Sequence, residues 1–259
     1  MIAGCHTSTH DAYCDELLGI VERLADVTEK LDPATRVPTC PDWNVGELTG
    51  HVGLVHRWAS RMVEVLSPER IPSATMGIKT PQDLAARPQW VGEYGPRMTQ
   101  VFRSVDPDAP MWGWGADRHA RFWARRMTHE TTIHRTDAEF AAGIEPEIPT
   151  ALALDGIDEF LDNVPHAAYF APRVKELTGA GERIRLVAAD AGTAWTVTLG
   201  PDGFSWDHST EQPADVSLRG DGADLYLLMW GRRKPDDASR FGVEGQRALL
   251  DFWIERSSL

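Results

Sequence analysis

Between residues 9 and 31 apolar side chains recur every three or four positions: Tyr13, Leu17, Ile20, Leu24, Val27 and Leu31. That spacing lines them along one face of a helix, which Asp32-Pro33 then ends. A second stripe, Val45, Leu48, Val52, Val55, Ala59, Met62 and Leu66, predicts another helix. Asn44 followed by Glu47 has the spacing of a capping box at its start. Residues 67–88 are rich in Pro, Ser and Gly and read as a connection with one helical turn near 82–86. Trp90, Tyr94, Met98, Val101 and Val105 mark a third helix, which Pro96 must either start or kink. The fourth spans Asp117 to Ala142 and contains no Gly or Pro.

The texture changes after residue 145. A fifth helix over 150–164 leads into RIRLVAAD, TAWTVTLG, GFSWDH and DVSLRG, short alternating runs separated by Gly, Asp and Pro turns, as in antiparallel strands. Helices over 223–231 and 246–255 flank one further short strand, FGVEG. The expected fold class is therefore α+β. A four-helix bundle over residues 1–165 precedes a small α+β domain over residues 166–259, with an antiparallel sheet and helices covering one face.

Composition narrows the function. The net charge of −13, from 26 basic and 39 acidic residues, argues against nucleic acid and anionic membrane surfaces as partners. No run of apolar residues is long enough for a membrane span, and the first residues show no export signal, so the expectation is a cytoplasmic protein. Cys5, Cys14 and Cys40 are an odd number without a CxxC pair, which fits free thiols and does not support a thiolate zinc site. No long coiled-coil seam stands out; a monomer or homodimer is expected.

The most informative stretch is WARRMTHETTIHRTDAEFA, residues 123–141. Trp123, Met127, Glu130, His134, Asp137 and Ala141 share one helical face, so a core stripe turns into carboxylate, imidazole and carboxylate. Ionisable groups on an inward face are costly unless paired or metal-bound. Glu130 and His134, at i and i+4, can ligate one divalent ion. His51, beside the core stripe of the second helix, is the candidate third ligand, and Asp137 can orient a ligand from behind. Two His and one carboxylate leave a coordination position open, as in catalytic sites. His56 lies about 140° round the helix from His51 and does not share its face. HETTIH is one residue too long for an HExxH motif: His129 and His134 point about 140° apart, which excludes that pairing. The plainer alternatives are a hydrogen-bonded core histidine for His51 and an ordinary i, i+4 polar pair for Glu130 and His134.

VPTCPDWNVGELTGHVGLVHRWA resembles the first signature of the mycothiol-dependent maleylpyruvate isomerase family, and HETTIHRTDA resembles its second. DVSLRGDGADLYLLMWGRR with the later VEG resembles its C-terminal domain. The resemblance implies a DinB-like bundle and a divalent metal, usually zinc, with nickel and iron as other candidates, on His51, Glu130 and His134. It also implies mycothiol as co-substrate, activated as a thiolate that adds to a small electrophile, in isomerisation or S-transfer. An Arg of the C-terminal domain helps bind the anionic partner in the family, and Arg232 and Arg233 are the candidates here. Two other readings stay open: a metal-dependent hydrolase using water on the same bundle, and a non-catalytic small-ligand-binding protein. Cys40, just before the second helix, is read as structural rather than redox-active. Trp112 and Trp114 either line a substrate mouth or cover the bundle end.

Overall fold

The computed structural model describes residues 9–259. It divides into two compact units, ending at Pro146 and beginning at Glu147. That division falls ahead of the fifth long helix, whereas the sequence expectation drew the boundary after it; Cys5 lies outside the described residues.

The first unit is helical. Helix α1 (His10–Glu29) starts at Thr9, whose side chain accepts from the Ala12 amide, and buries Tyr13, Leu17, Ile20, Leu24 and Val27. Helix α2 (Val45–Glu64) starts with a reciprocal box: Glu47 N donates to Asn44 Oδ1 and Asn44 N to Glu47 Oε2, both at 2.8 Å. The expected third helix is two, α3 (Arg87–Gly92) and α4 (Gly95–Arg103). Pro96 sits in the first turn of α4, where its missing N–H is not needed, so the chain restarts a helix there instead of kinking one. Helix α5 (Arg121–Ala141) ends in a Schellman turn: Ile144 N donates to Glu139 O at 2.8 Å and Gly143 N to Phe140 O at 3.1 Å. Gly143 supplies the positive φ of 70° that this turn needs.

Helix α1 packs along α5, and α2 packs on α3, α4 and α5. The loop before α5 folds its tryptophans onto this core. Trp123 Nε1 donates to Trp112 O at 3.0 Å, and Trp58 stands edge-on to both Trp112 and Trp123. Trp112 and Trp114 are half-buried against the core cluster, which fits a cover over the bundle end.

Gly53 shows how tightly α2 and α3 meet. A methyl at this position would lie 2.1 Å from the Trp90 ring. Replacing an interior helical Gly by Ala ordinarily stabilises by about 1 kcal/mol. Here overpacking of about 1–3 kcal/mol competes and wins, because Trp90 is a large ring stacked against Arg57 at 3.7 Å. Gly53→Ala is expected to lower stability, read as a fall in the denaturant midpoint; a rise would mean that Trp90 moves aside freely.

The second unit opens with α6 (Thr150–Asn163) and carries strands β1 (Arg183–Ala188), β2 (Thr193–Gly200), β3 (Gly203–Asp207), β4 (Val216–Gly220) and β5 (Gly242–Gly245). Helix α7 (Gly222–Met229) packs on α6, and α8 (Arg247–Ser257) ends the chain. The sheet order is β3-β2-β1-β4-β5. Ile184, Leu186 and Ala188 alternate inward along β1, with Leu186 opposite Trp195 on one side and Leu218 on the other. Three pairings are antiparallel, but β1 and β4 run parallel, so the sheet is mixed where an all-antiparallel one was expected. The β2–β3 hairpin occupies one side of β1 and the chain returns to the other. Asp215 pins that return, accepting from Arg183 N at 2.7 Å and donating its own amide to Arg183 O at 2.9 Å.

Candidate metal centre

Three helical side chains and one loop converge in the first unit. The α1–α2 loop is folded on its own backbone: Val37 N donates to Trp43 O, Cys40 N to Val37 O, and Trp43 N to Cys40 O. This tight turn precedes the capped start of α2 and turns Thr39, Cys40 and Trp43 toward α5. Helix α2 supplies His51, and α5 supplies Glu130, His134 and, one turn on, Asp137.

His51, Glu130 and His134 each offer a donor atom, and the three atoms lie within 4.8 Å of one another. Among the described residues this is the one His/Cys/Asp/Glu cluster so spaced. Both imidazoles aim Nε2 at the same carboxylate oxygen, Glu130 Oε1, each at 3.4 Å. The second imidazole nitrogen of His134 is already committed: Nδ1 lies 2.9 Å from Asp137 Oδ2. Asp137 is fully buried and itself held, with Thr39 Oγ1 donating to Oδ1 at 2.5 Å and Cys40 Sγ to Oδ2 at 3.5 Å. Trp43 lies across the pair, its ring centroid 4.8 Å from His51 and 5.8 Å from His134. Behind Glu130, the buried Arg126 approaches Oε2 at 3.6 Å.

The electrostatics follow from this crowding. Burial alone would push the Glu130 carboxyl up, but hydrogen bonds from His134 and His51, with the charges of His134 and Arg126, hold it well below the usual carboxylate range. Burial alone would lower His134; its bonds to Asp137 and Glu130 outweigh that and raise it to about 9. The raised pKa favours an imidazolium between two carboxylates, and Nε2 would serve as a metal ligand only after losing its proton. The residues fit a divalent ion: two imidazole nitrogens and one carboxylate oxygen are a donor set suited to zinc, nickel or iron. The Asp137–His134 bond has the form of the carboxylate–imidazole support that accompanies ligating histidines.

Residues 14–139 match the Mycothiol maleylpyruvate isomerase N-terminal domain family, and residues 151–252 match the MDMPI C-terminal domain family. The chain belongs to the mycothiol-dependent maleylpyruvate isomerase family. Two solved structures of a mycothiol-dependent maleylpyruvate isomerase share its fold, the one a histidine-to-alanine mutant. They align at TM-scores of 0.61 and 0.60 with 14% and 15% identity, covering 92% of this chain and 94% of theirs in each case. A sequence comparison with curated proteins gives no match.

The other residues singled out from the sequence of this family member fall as follows. His129 is buried and stands edge-on to Tyr13, ring centroids 6.5 Å apart, away from the cluster. Arg232 and Arg233 follow α7 in the second unit. Arg232 Nη1 donates to Trp230 O at 2.6 Å, and Arg233 Nε lies 3.4 Å from Asp224 Oδ1. Three residues around the cluster, Thr39, Trp43 and Arg126, went unread in the sequence, and Cys40 was read only as structural. Cys40 and Trp43 are the first and last residues of the CPDW turn, Thr39 immediately precedes it, and Arg126 is four residues before Glu130 on the same face. Only Arg126 carries a local signal, its i, i+4 spacing. The loop residues reach Asp137 across 97 and 98 positions of sequence.

Asp137→Asn tests the support. The amide keeps the shape but not the charge that favours an Nδ1–H, Nε2-ligating tautomer. Zinc affinity is expected to fall about 10- to 100-fold, the usual loss for such a partner. Competition against a chelating dye measures it, and an unchanged affinity would remove Asp137 from the site.

Proposed function

We propose that this protein is a divalent-metal-dependent thiol transferase or isomerase, with zinc on His51, Glu130 and His134 and mycothiol as the activating thiol. The observation that carries the reading is the convergence of three donor atoms from α2 and α5, with His134 Nδ1 already engaged by Asp137. Membership of the family supports the thiol. When bound, an ion held by one carboxylate and two neutral imidazoles keeps a net positive charge, which lowers the pKa of a thiol presented to it.

The protein's own side chains do the positioning. Glu130 is held by Arg126, so its carboxylate does not swing away from the two imidazoles. Asp137, fixed by Thr39 and Cys40, sets the tautomer and tilt of His134. Trp43 covers one side of both rings and keeps water from that side. His51, one-third exposed, leaves the cluster approachable. For the carboxylate of an anionic electrophile, Arg232 and Arg233 are the proposed partners, because a guanidinium fork pairs with carboxylate in two parallel bonds.

The test is metal analysis of protein purified without chelators, followed by turnover of an electrophile with and without mycothiol. One equivalent of zinc and turnover that needs both metal and thiol are expected. Metal-dependent turnover without thiol would instead establish a hydrolase. Among the described residues no helix is long and apolar enough to cross a membrane.

A further inference from the structure

The later half of α2, residues 76–79 and the head of α4 enclose an open cleft of about 280 Å³. None of His51, Glu130 or His134 lines it. Its polar wall is Arg57, Arg61 and Glu64 from α2, Lys79 from the connection, and Arg97 from α4. Four cations thus face one carboxylate in a chain whose net charge is −13. The local sign is opposite to the global one.

The single carboxylate is already shared. Glu64 accepts from Arg61 at 2.6 Å and lies 3.6 Å from Arg97. Arg57 and Lys79 make no ion pair among the described residues. Arg57 is held rigidly: it donates to Gly53 O at 3.1 Å and Trp90 O at 2.7 Å, and its guanidinium lies 3.7 Å from the Trp90 centroid and 4.2 Å from that of Tyr94. Burial pulls its pKa to about 10, opposed by Tyr94 and Glu93, and the guanidinium stays charged at neutral pH.

Helix electrostatics account for only part of this charge. Arg61 lies in the last turn of α2, where the helix dipole favours a cation. Arg97 is in the first turn of α4, a turn with no acidic residue, where the dipole disfavours one. Placed there, Arg97 and the helix N-terminus add to the same positive field. Met76, Ile78, Val101 and the Tyr94 ring give the remaining wall an apolar character.

We infer that this cleft binds a small dianion with an apolar portion, a phosphate monoester or a dicarboxylate. Four cations against Glu64 and the nearby Glu93 leave a surplus of two positive charges, more than a monoanion balances. Guanidinium forks pair with carboxylate and phosphate alike.

Titration calorimetry of the intact protein with phenyl phosphate and with phthalate tests this, with sodium chloride at equal ionic strength as control. At least one probe is expected to bind saturably at one site per chain. The side chains of Arg61 and Arg97 are 56% and 61% exposed, and Lys79 is exposed, so all three can be replaced without disturbing the core. The triple variant Arg61→Gln, Arg97→Gln, Lys79→Gln is expected to keep its Tm and metal content and to bind the probe at least tenfold more weakly. Failure of both probes to bind overturns the inference. So does undiminished binding to the triple variant, which would place the dianion elsewhere, for instance at the metal cluster. Neither outcome bears on the proposed thiol chemistry, which rests on other residues.

Discussion

His51→Ala is expected to strip the protein of zinc and abolish thiol-dependent turnover while leaving the fold intact. A zinc site worth roughly 10–16 kcal/mol, divided evenly among three ligands, loses about 3–5 kcal/mol per ligand, roughly a few hundred- to several thousandfold in affinity. The three proposed ligands are not equivalent as test positions. His134 is nearly buried and is bonded to the fully buried Asp137, so His134→Ala disturbs a buried carboxylate as well as the metal. Glu130→Ala disturbs the buried Arg126 beside it. His51 has 34% of its side chain exposed and its vacated volume opens to water, so its loss removes one bond to Glu130 and disturbs its surroundings least of the three. Two measurements separate the effects: metal content after purification without chelators, and thermal unfolding of chelator-treated protein. The first is expected to fall from one equivalent to near zero, and the second to match the parent. A variant that keeps a full equivalent of zinc and full turnover would sink the assignment of His51.

What the sequence made legible depended on whether the relevant physics was local. The stripes of α1 and α2 and the Asn44–Glu47 box are contacts within four residues, and the structure forms them where spacing placed them. Glu130 and His134 share a face because they are four residues apart. The alternating runs of the second unit became β1 to β4 for the same reason. Strand direction is not local: nothing in DVSLRG says that it lies parallel to RIRLVA, because that is decided by which side of β1 the chain returns to. The approach of Thr39 and Cys40 to Asp137 is equally non-local, fixed by a loop folded on its own backbone. His56 was set apart from His51 by direction alone; its complete burial depends on α5 packing behind it.

That burial leads to a large pH effect. His56 Nε2 lies 2.8 Å from Thr131 Oγ1, and the Thr131 hydroxyl donates to Met127 O at 2.6 Å. The hydroxyl proton is thereby used, so Nε2 must carry the hydrogen and donate. Nδ1 has no hydrogen-bond partner among the described residues. Protonating it would create a buried cation with an unmatched donor. Burial accordingly lowers the His56 pKa from 6.5 to about 3, against an opposing pull from Glu130 and with help from Arg57, His134 and His51. Between those two values the unfolded chain binds a proton that the folded chain does not, so stability rises with pH across this window. The contribution is complete above pH 6.5 and is lost as pH falls toward 3, at most roughly 4–5 kcal/mol. His56→Gln can keep a bond to Thr131 and cannot titrate. The parent is expected to lose stability faster than this variant between pH 6 and 4, by about 1.4 kcal/mol per pH unit, the slope of one proton. Denaturant unfolding of both proteins across that range measures the difference, which cancels the titrations they share. Parallel curves would mean that His56 charges in the folded state without penalty, and that its burial carries no electrostatic cost.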